Sequence, residues 1–156
     1  MDANLTVGKK GYEAVSEALS ALGMKAQELK RALLDIVDED TEAFNAVMEA
    51  MRLPKSSDAE KLARSAALEA AEKNAARVPM RTAGLCLETM KLCADAAKSG
   101  NVNSATDAAT GCNMAHAGLL SAILNVRINI ETLSDEEFKA ALRHECSVLE
   151  SQAAAV

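Results

Sequence analysis

Asp40 stands where an apolar side chain belongs. Around it, apolar residues recur at Leu22, Ala26, Leu29, Leu33, Ile36, Phe44, Val47 and Met51, and this aspartate fills the helical place between Ile36 and Phe44. Asp35, Asp38, Glu42 and Glu49, with Asn45, make the opposite stripe, a solvated face to which Asp40 does not belong. A carboxylate that continues an apolar stripe points at the core or into a cleft. Burying it unpaired is expensive, so it is either held in a structural ion pair or used as an active-site acid.

The remaining reactive side chains say less. His116 lies within a run free of Lys, Arg, Asp and Glu from Ala108 to Val126, where it is either a core histidine with one satisfied nitrogen or a proton carrier. His144, between Arg143 and Glu145, reads as surface. Cys86, Cys93, Cys112 and Cys146 form no CxxC pair, and neither histidine lies near a paired thiol, so no zinc pattern exists. They read as small hydrophobes of a reduced, cytoplasmic protein.

These residues are positioned by helices. The 156 residues suit one domain, aromatics are 2%, and glycine and proline number only 7 and 2. Such a composition excludes a β-sandwich or barrel, and 49% apolar residues exclude a disordered chain. A net charge of −6 counts against a nucleic-acid or anionic-membrane surface. Sparse breaks at Leu53–Ser57, Val78-Pro79 and Ser99–Asn101 leave four helical blocks: Tyr12–Met51, Asp58–Lys98, Ser104–Ile130, and Ser134 to the end. Pro79 either kinks the second block or splits it. Alternating charges over 58–77 predict a solvated, ion-paired face. Ser134 with Glu137 reads as the capping box of the fourth block.

The charge-free run of the third block approaches the length of a membrane span, about 20 residues. Thr110, Asn113, His116, Ser121 and Asn125 are scattered all round it, which excludes that role. It reads instead as a central helix covered by its neighbours. The expected fold is all-α, an antiparallel bundle of long helices around a buried central helix. Small residues at Gly111, Ala115, Gly118 and Ala122 predict close helix packing, and with it a homodimer.

Three ordered stretches carry a resemblance. They are Asn4–Lys10 followed by Tyr12; Asp38–Phe44 leading through Met48-Glu49-Ala50 to Leu53-Pro54-Lys55; and Gly100-Asn101, Ser104–Asp107 and Asn125–Asn129, with Val78-Pro79 in between. Together they resemble the folate-dependent cyclodeaminase/cyclohydrolase family over nearly the whole chain. The resemblance implies a helical enzyme of one-carbon metabolism, a tetrahydrofolate derivative as substrate, no metal, and a homodimer. It implies a formiminotetrahydrofolate cyclodeaminase, as in histidine degradation, with methenyltetrahydrofolate cyclohydrolase as the alternative. The family's acid/base aspartate is the second Asp of a D-x-D-x-E-x-F string, which falls on Asp40.

Lys9 and Lys10, beside Gly8, are then expected to clamp the anionic folate tail, or else to be a solvated helix start. Asp107 and Asn125 are further substrate-binding candidates. They share a helix azimuth but lie about 27 Å apart, so one small site cannot hold both on a straight helix. The resemblance also implies that residues 1–156 are a single domain trimmed at both ends, lacking the family's first helix and glycine-rich turn. A competing class is a non-catalytic helical module that keeps the bundle and binds a partner. Asp40 discriminates the two, since a scaffold gains nothing from a carboxylate in an apolar stripe.

Overall fold

The computed structural model describes Gly8, residues 13–100 and residues 102–156. Four α-helices follow one another: α1 (Ser16–Arg52, entered through a 3₁₀ turn at Glu13–Val15), α2 (Asp58–Ser99), α3 (Ala105–Asn129, after a 3₁₀ turn at Val102–Ser104) and α4 (Glu136–Ala154). Among the described residues there is no strand, so the class is all-α as expected.

The helix at the centre is α2 rather than the charge-free α3, since α1, α3 and α4 all pack on α2. Consecutive helices α1, α2 and α3 run antiparallel, which sets α1 and α3 parallel on α2 with a groove between them. The core joins Ala76, Met80, Ala83, Leu87 and Met90 of α2 to Leu119, Ile123 and Val126 of α3 and Leu142 and Cys146 of α4. One face of α3 is thus covered. The other is open within the chain, with Met114 72%, Leu124 64% and Ile128 65% exposed. A charge-free helix need not be covered by its own chain; burial of one face suffices to order it.

The small residues of α3 are spent on α2. A Cβ placed at Gly111 would lie 3.2 Å from the Cys93 sulfur, and one at Gly118 would lie 3.0 Å from that of Cys86. This close approach is internal, so it cannot supply the dimer contact expected of it.

The α1–α2 seam is built from Leu29, Ile36, Ala43 and Ala50, each seven residues from the last. Helices that stay in contact over a long distance use a period of 3.5 residues, and a 3.6-residue stripe drifts away from such a seam. The stripe Ile36, Asp40, Phe44, Met51 therefore leaves the interface, and Phe44 ends 62% exposed. Asp40 is exposed at the seam's edge instead of continuing into the core.

Pro79 lies buried inside an unbroken α2 and does not split it. Its missing N–H would have bonded the carbonyl of Ala75. That oxygen accepts instead from Asn129 Nδ2 at 2.8 Å, across the α2–α3 contact. The turn before α2 is closed by a capping box, Ser57 with Glu60. Before α4 the cap is Asp135, whose carboxylate accepts from the Phe138 N–H at 2.9 Å. The expected capping residue, Ser134, donates its hydroxyl to Glu69 at 2.9 Å, so the helix start moves one place on.

Candidate active site

Two cavities occupy opposite ends of the groove between α1 and α3. The first, about 490 Å³, lies among Leu22, Ala26 and Leu33 of α1, Leu92 and Cys93 of α2, and Asp107 and Gly111 of α3. Its walls are mostly apolar. The second, about 350 Å³, is lined by Asp40, Ala43, Phe44 and Val47 of α1, Glu72 and Ala75 of α2, Asn125, Ile128 and Asn129 of α3, and Thr132 beyond it. That volume falls within the usual range of small-molecule sites.

The second cavity has the polar convergence that chemistry requires. Asp40 enters because the seam drift has carried it to the groove. Asn125 and Asn129, one turn apart on α3, face it from the other wall. The Pro79-freed carbonyl of Ala75 engages the nitrogen of Asn129, which fixes that amide. Next to Asp40, Glu39 is tied to the Arg81 guanidinium of α2 by a forked ion pair, anchoring this turn of α1. Among the described residues lining the cavity there is no Lys, Arg or His.

Glu72 is the site residue that the sequence pattern hides. It belongs to the 58–77 stretch read as a solvated face, and much of that face is ion-paired: Lys61 with Asp58 at 2.9 Å and Lys73 with Asp135 at 2.6 Å. Glu72 turns the other way, into the cavity. Partial burial raises its carboxyl above the ordinary glutamate range, the Thr132 hydroxyl pulls it back, and the charge of Glu69 adds to the rise. Only the fold shows that the Lys that follows it is engaged elsewhere.

The other expected site residues separate. Asp107 lines the first cavity and Asn125 the second, in keeping with their distance along α3. Lys9 and Lys10 lie outside the described residues. His116 is half-buried on α3 and lines neither cavity; His144 is exposed. The four thiols are free, and burial raises those of Cys86, Cys93 and Cys146. Among the described residues no group of His, Cys, Asp and Glu could hold a metal ion. No helix among them is long and apolar enough to cross a membrane.

A helical chain in which Asp40, Glu72 and two side-chain amides line a cavity between parallel helices defines a class of protein whose site side chains can supply proton transfer. The profile of the formiminotransferase-cyclodeaminase family matches residues 1–148, and the chain belongs to that family. It is 40% identical to the methenyltetrahydrofolate cyclohydrolase of Methylorubrum extorquens, over 100% of this chain and 75% of that protein. It is 29% identical to the formimidoyltransferase-cyclodeaminase of Sus scrofa, over 96% of this chain but 28% of that longer protein. The crystal structure of formiminotetrahydrofolate cyclodeaminase from Thermotoga maritima superimposes with a TM-score of 0.86 at 32% identity, covering 99% of this chain and 73% of that one.

Proposed function

We propose that the chain acts on the one-carbon unit of a tetrahydrofolate, with Asp40 as general acid/base in the cavity between α1 and α3. The observation that carries this is that Asp40 and Glu72 line one cavity, among whose described lining residues there is no cationic side chain. A 5,10-methenyl ring and a protonated formimino group are both amidinium cations, which two carboxyl groups and two side-chain amides complement.

The two family reactions share one tetrahedral carbon. In the cyclohydrolase, water adds to the methenyl carbon and the ring opens. In the cyclodeaminase, N10 attacks the formimino carbon, the ring closes and ammonia leaves. Each needs a group that takes a proton from one heteroatom and returns it to another, a task worth roughly 10²–10⁴-fold in rate. The 40% identity to a cyclohydrolase over the whole chain favours the hydrolytic reaction. The match to the Thermotoga cyclodeaminase supports the deaminating one as a second reading.

The open face of α3, with Met114, Leu124 and Ile128, supports a homodimer in which a second copy covers it. Ile128 also lines the acid cavity, so such a partner would sit beside the site. The test is turnover of 5,10-methenyltetrahydrofolate and of 5-formiminotetrahydrofolate by the parent chain and by Asp40→Asn. We expect turnover of at least one substrate and its loss in the variant. A chain that neither turns over nor binds either folate is a helical interaction module instead.

A further inference from the structure

We propose that Glu72 is a second catalytic residue: in its protonated form it delivers the proton to the departing nitrogen, while Asp40 as carboxylate accepts the proton released earlier. This rests on the folate reading of the acid cavity and adds a division of labour to it.

Geometry supplies the argument. Asp40 comes from α1 and Glu72 from α2, and among the described residues they are the titratable ones lining one cavity. For the two to divide the work, one carboxyl must hold a proton and the other must be free to take one. Their surroundings decide which holds it. Asp40 is exposed at the groove's edge, while Glu72 is half-buried on the floor. Its own helix offers Glu69, which repels a charge on Glu72, and Lys73, whose ammonium is taken by Asp135 at 2.6 Å and by Glu69 at 3.6 Å. From α3 come the uncharged Asn125, Ile128 and Asn129, and beyond it Thr132, whose hydroxyl bonds the Glu72 carboxyl. Burial thus favours the neutral acid at Glu72. Unequal environments around two carboxyls are how one becomes the acid and the other the base.

The steps balance. In hydrolysis, water forms a C–O bond to the methenyl carbon and its proton passes to Asp40. The C–N bond then breaks, its electron pair stays on nitrogen, and the Glu72 O–H protonates that nitrogen. The hydroxyl proton of the collapsing carbon restores Glu72, and Asp40 releases its proton to solvent. In deamination of the protonated formimino group, the proton lost by N10 on ring closure goes to Asp40, the Glu72 proton leaves with ammonia, and exchange with solvent then empties Asp40 and restores the proton of Glu72.

The test compares the parent chain, Glu72→Gln, Glu72→Asp and Asp40→Asn by kcat against pH on both folates, and by melting against pH. In the parent, kcat should fall on the alkaline side as Glu72 ionises. Glu72→Gln should lower kcat by roughly 10²-fold or more and abolish that alkaline limb, and Glu72→Asp should restore the limb. Melting reads the same proton without turnover. A carboxyl with a raised folded-state pKa binds its proton more tightly when folded, so its stabilising effect is full at low pH and lost as pH rises through the raised value. Glu72→Gln should therefore melt higher than the parent near neutral pH, with the difference vanishing below about pH 4. If Glu72→Gln keeps the parent's rate and alkaline limb, or melts lower than the parent at neutral pH, the assignment is overturned. When Asp40→Asn is inactive in that case, the folate reading stands without Glu72. If Asp40→Asn is also fully active, or the parent turns over neither folate, the reading itself falls and takes Glu72 with it.

Discussion

Pro79 and Asn129 are joined through one carbonyl oxygen. The proline withholds the N–H that would occupy Ala75, and the asparagine takes its place at 2.8 Å. A residue that ordinarily breaks a helix here leaves α2 continuous and lends an acceptor to a neighbouring helix at the rim of the acid cavity. Pro79→Ala should restore the helical bond and raise stability by about 1–3 kcal/mol in urea unfolding. Asn129→Ala should cost about 1–2 kcal/mol in the parent and much less in the Pro79→Ala background. Additive effects of the two substitutions would show that the shared oxygen does not couple them.

Asp40→Asn keeps the shape of the site and removes the proposed proton carrier. Folate binding should persist while kcat falls by roughly 10²–10⁴-fold. Asp38, exposed on the outer face of the same helix, gives the control, and Asp38→Asn should stay close to the parent in the same assay.

Asp135 caps α4 and binds Lys73, and the Lys73 ammonium, with the Phe138 N–H second, holds its carboxyl below the ordinary aspartate range. A depressed folded-state pKa contributes stability that is present above the ordinary aspartate value and lost as pH falls through the folded one. Asp135→Ala should lower Tm by roughly 2–6 °C near neutral pH, with the gap closing in acid. Asp135→Asn keeps a competent cap, so thermal melts should place it between the two.

Cys86 and Gly118 should be energetically coupled. With the sulfur only 3.0 Å from a Cβ at position 118, Gly118→Ala cannot collect the helix-propensity gain of about 1 kcal/mol. In a Cys86→Ala background the same substitution should stabilise the chain. Equal effects in both backgrounds, measured by urea midpoints, would disprove the close approach.

The open face of α3 predicts the assembly. The parent should sediment as a dimer at micromolar concentration, and Leu124→Glu, which places a charge in the middle of the exposed stripe, should leave a folded monomer. A monomeric parent would remove the proposed second copy.

Much of this was legible in the sequence. The four helices start and stop within a few residues of the breaks at Leu53–Ser57 and Ser99–Asn101, because turn and cap chemistry is local. Asp40 stood out because one acid in an apolar stripe is a local anomaly too. What escaped was relational. The charge-free run marked α3 as the centre, yet α2 is the helix every other one touches, since apolarity does not say which chain covers a face. Glu72 was lost among alternating charges, because only the fold shows that Lys73 turns to Asp135 and leaves it behind. Ser134 looked like a cap until Glu69, 65 residues away, claimed its hydroxyl.

The seam of Leu29, Ile36, Ala43 and Ala50 has a consequence for how such a protein can change. Position 40 contributes nothing to that seam, so its side chain is free of any duty to the fold. If Asp40 carries the proton transfer proposed for it, an ancestor could lose that chemistry by one substitution there and go on folding unharmed. A descendant could regain it the same way. In this architecture an inert binding partner and a working enzyme are neighbours in sequence space, and stability does not stand guard between them.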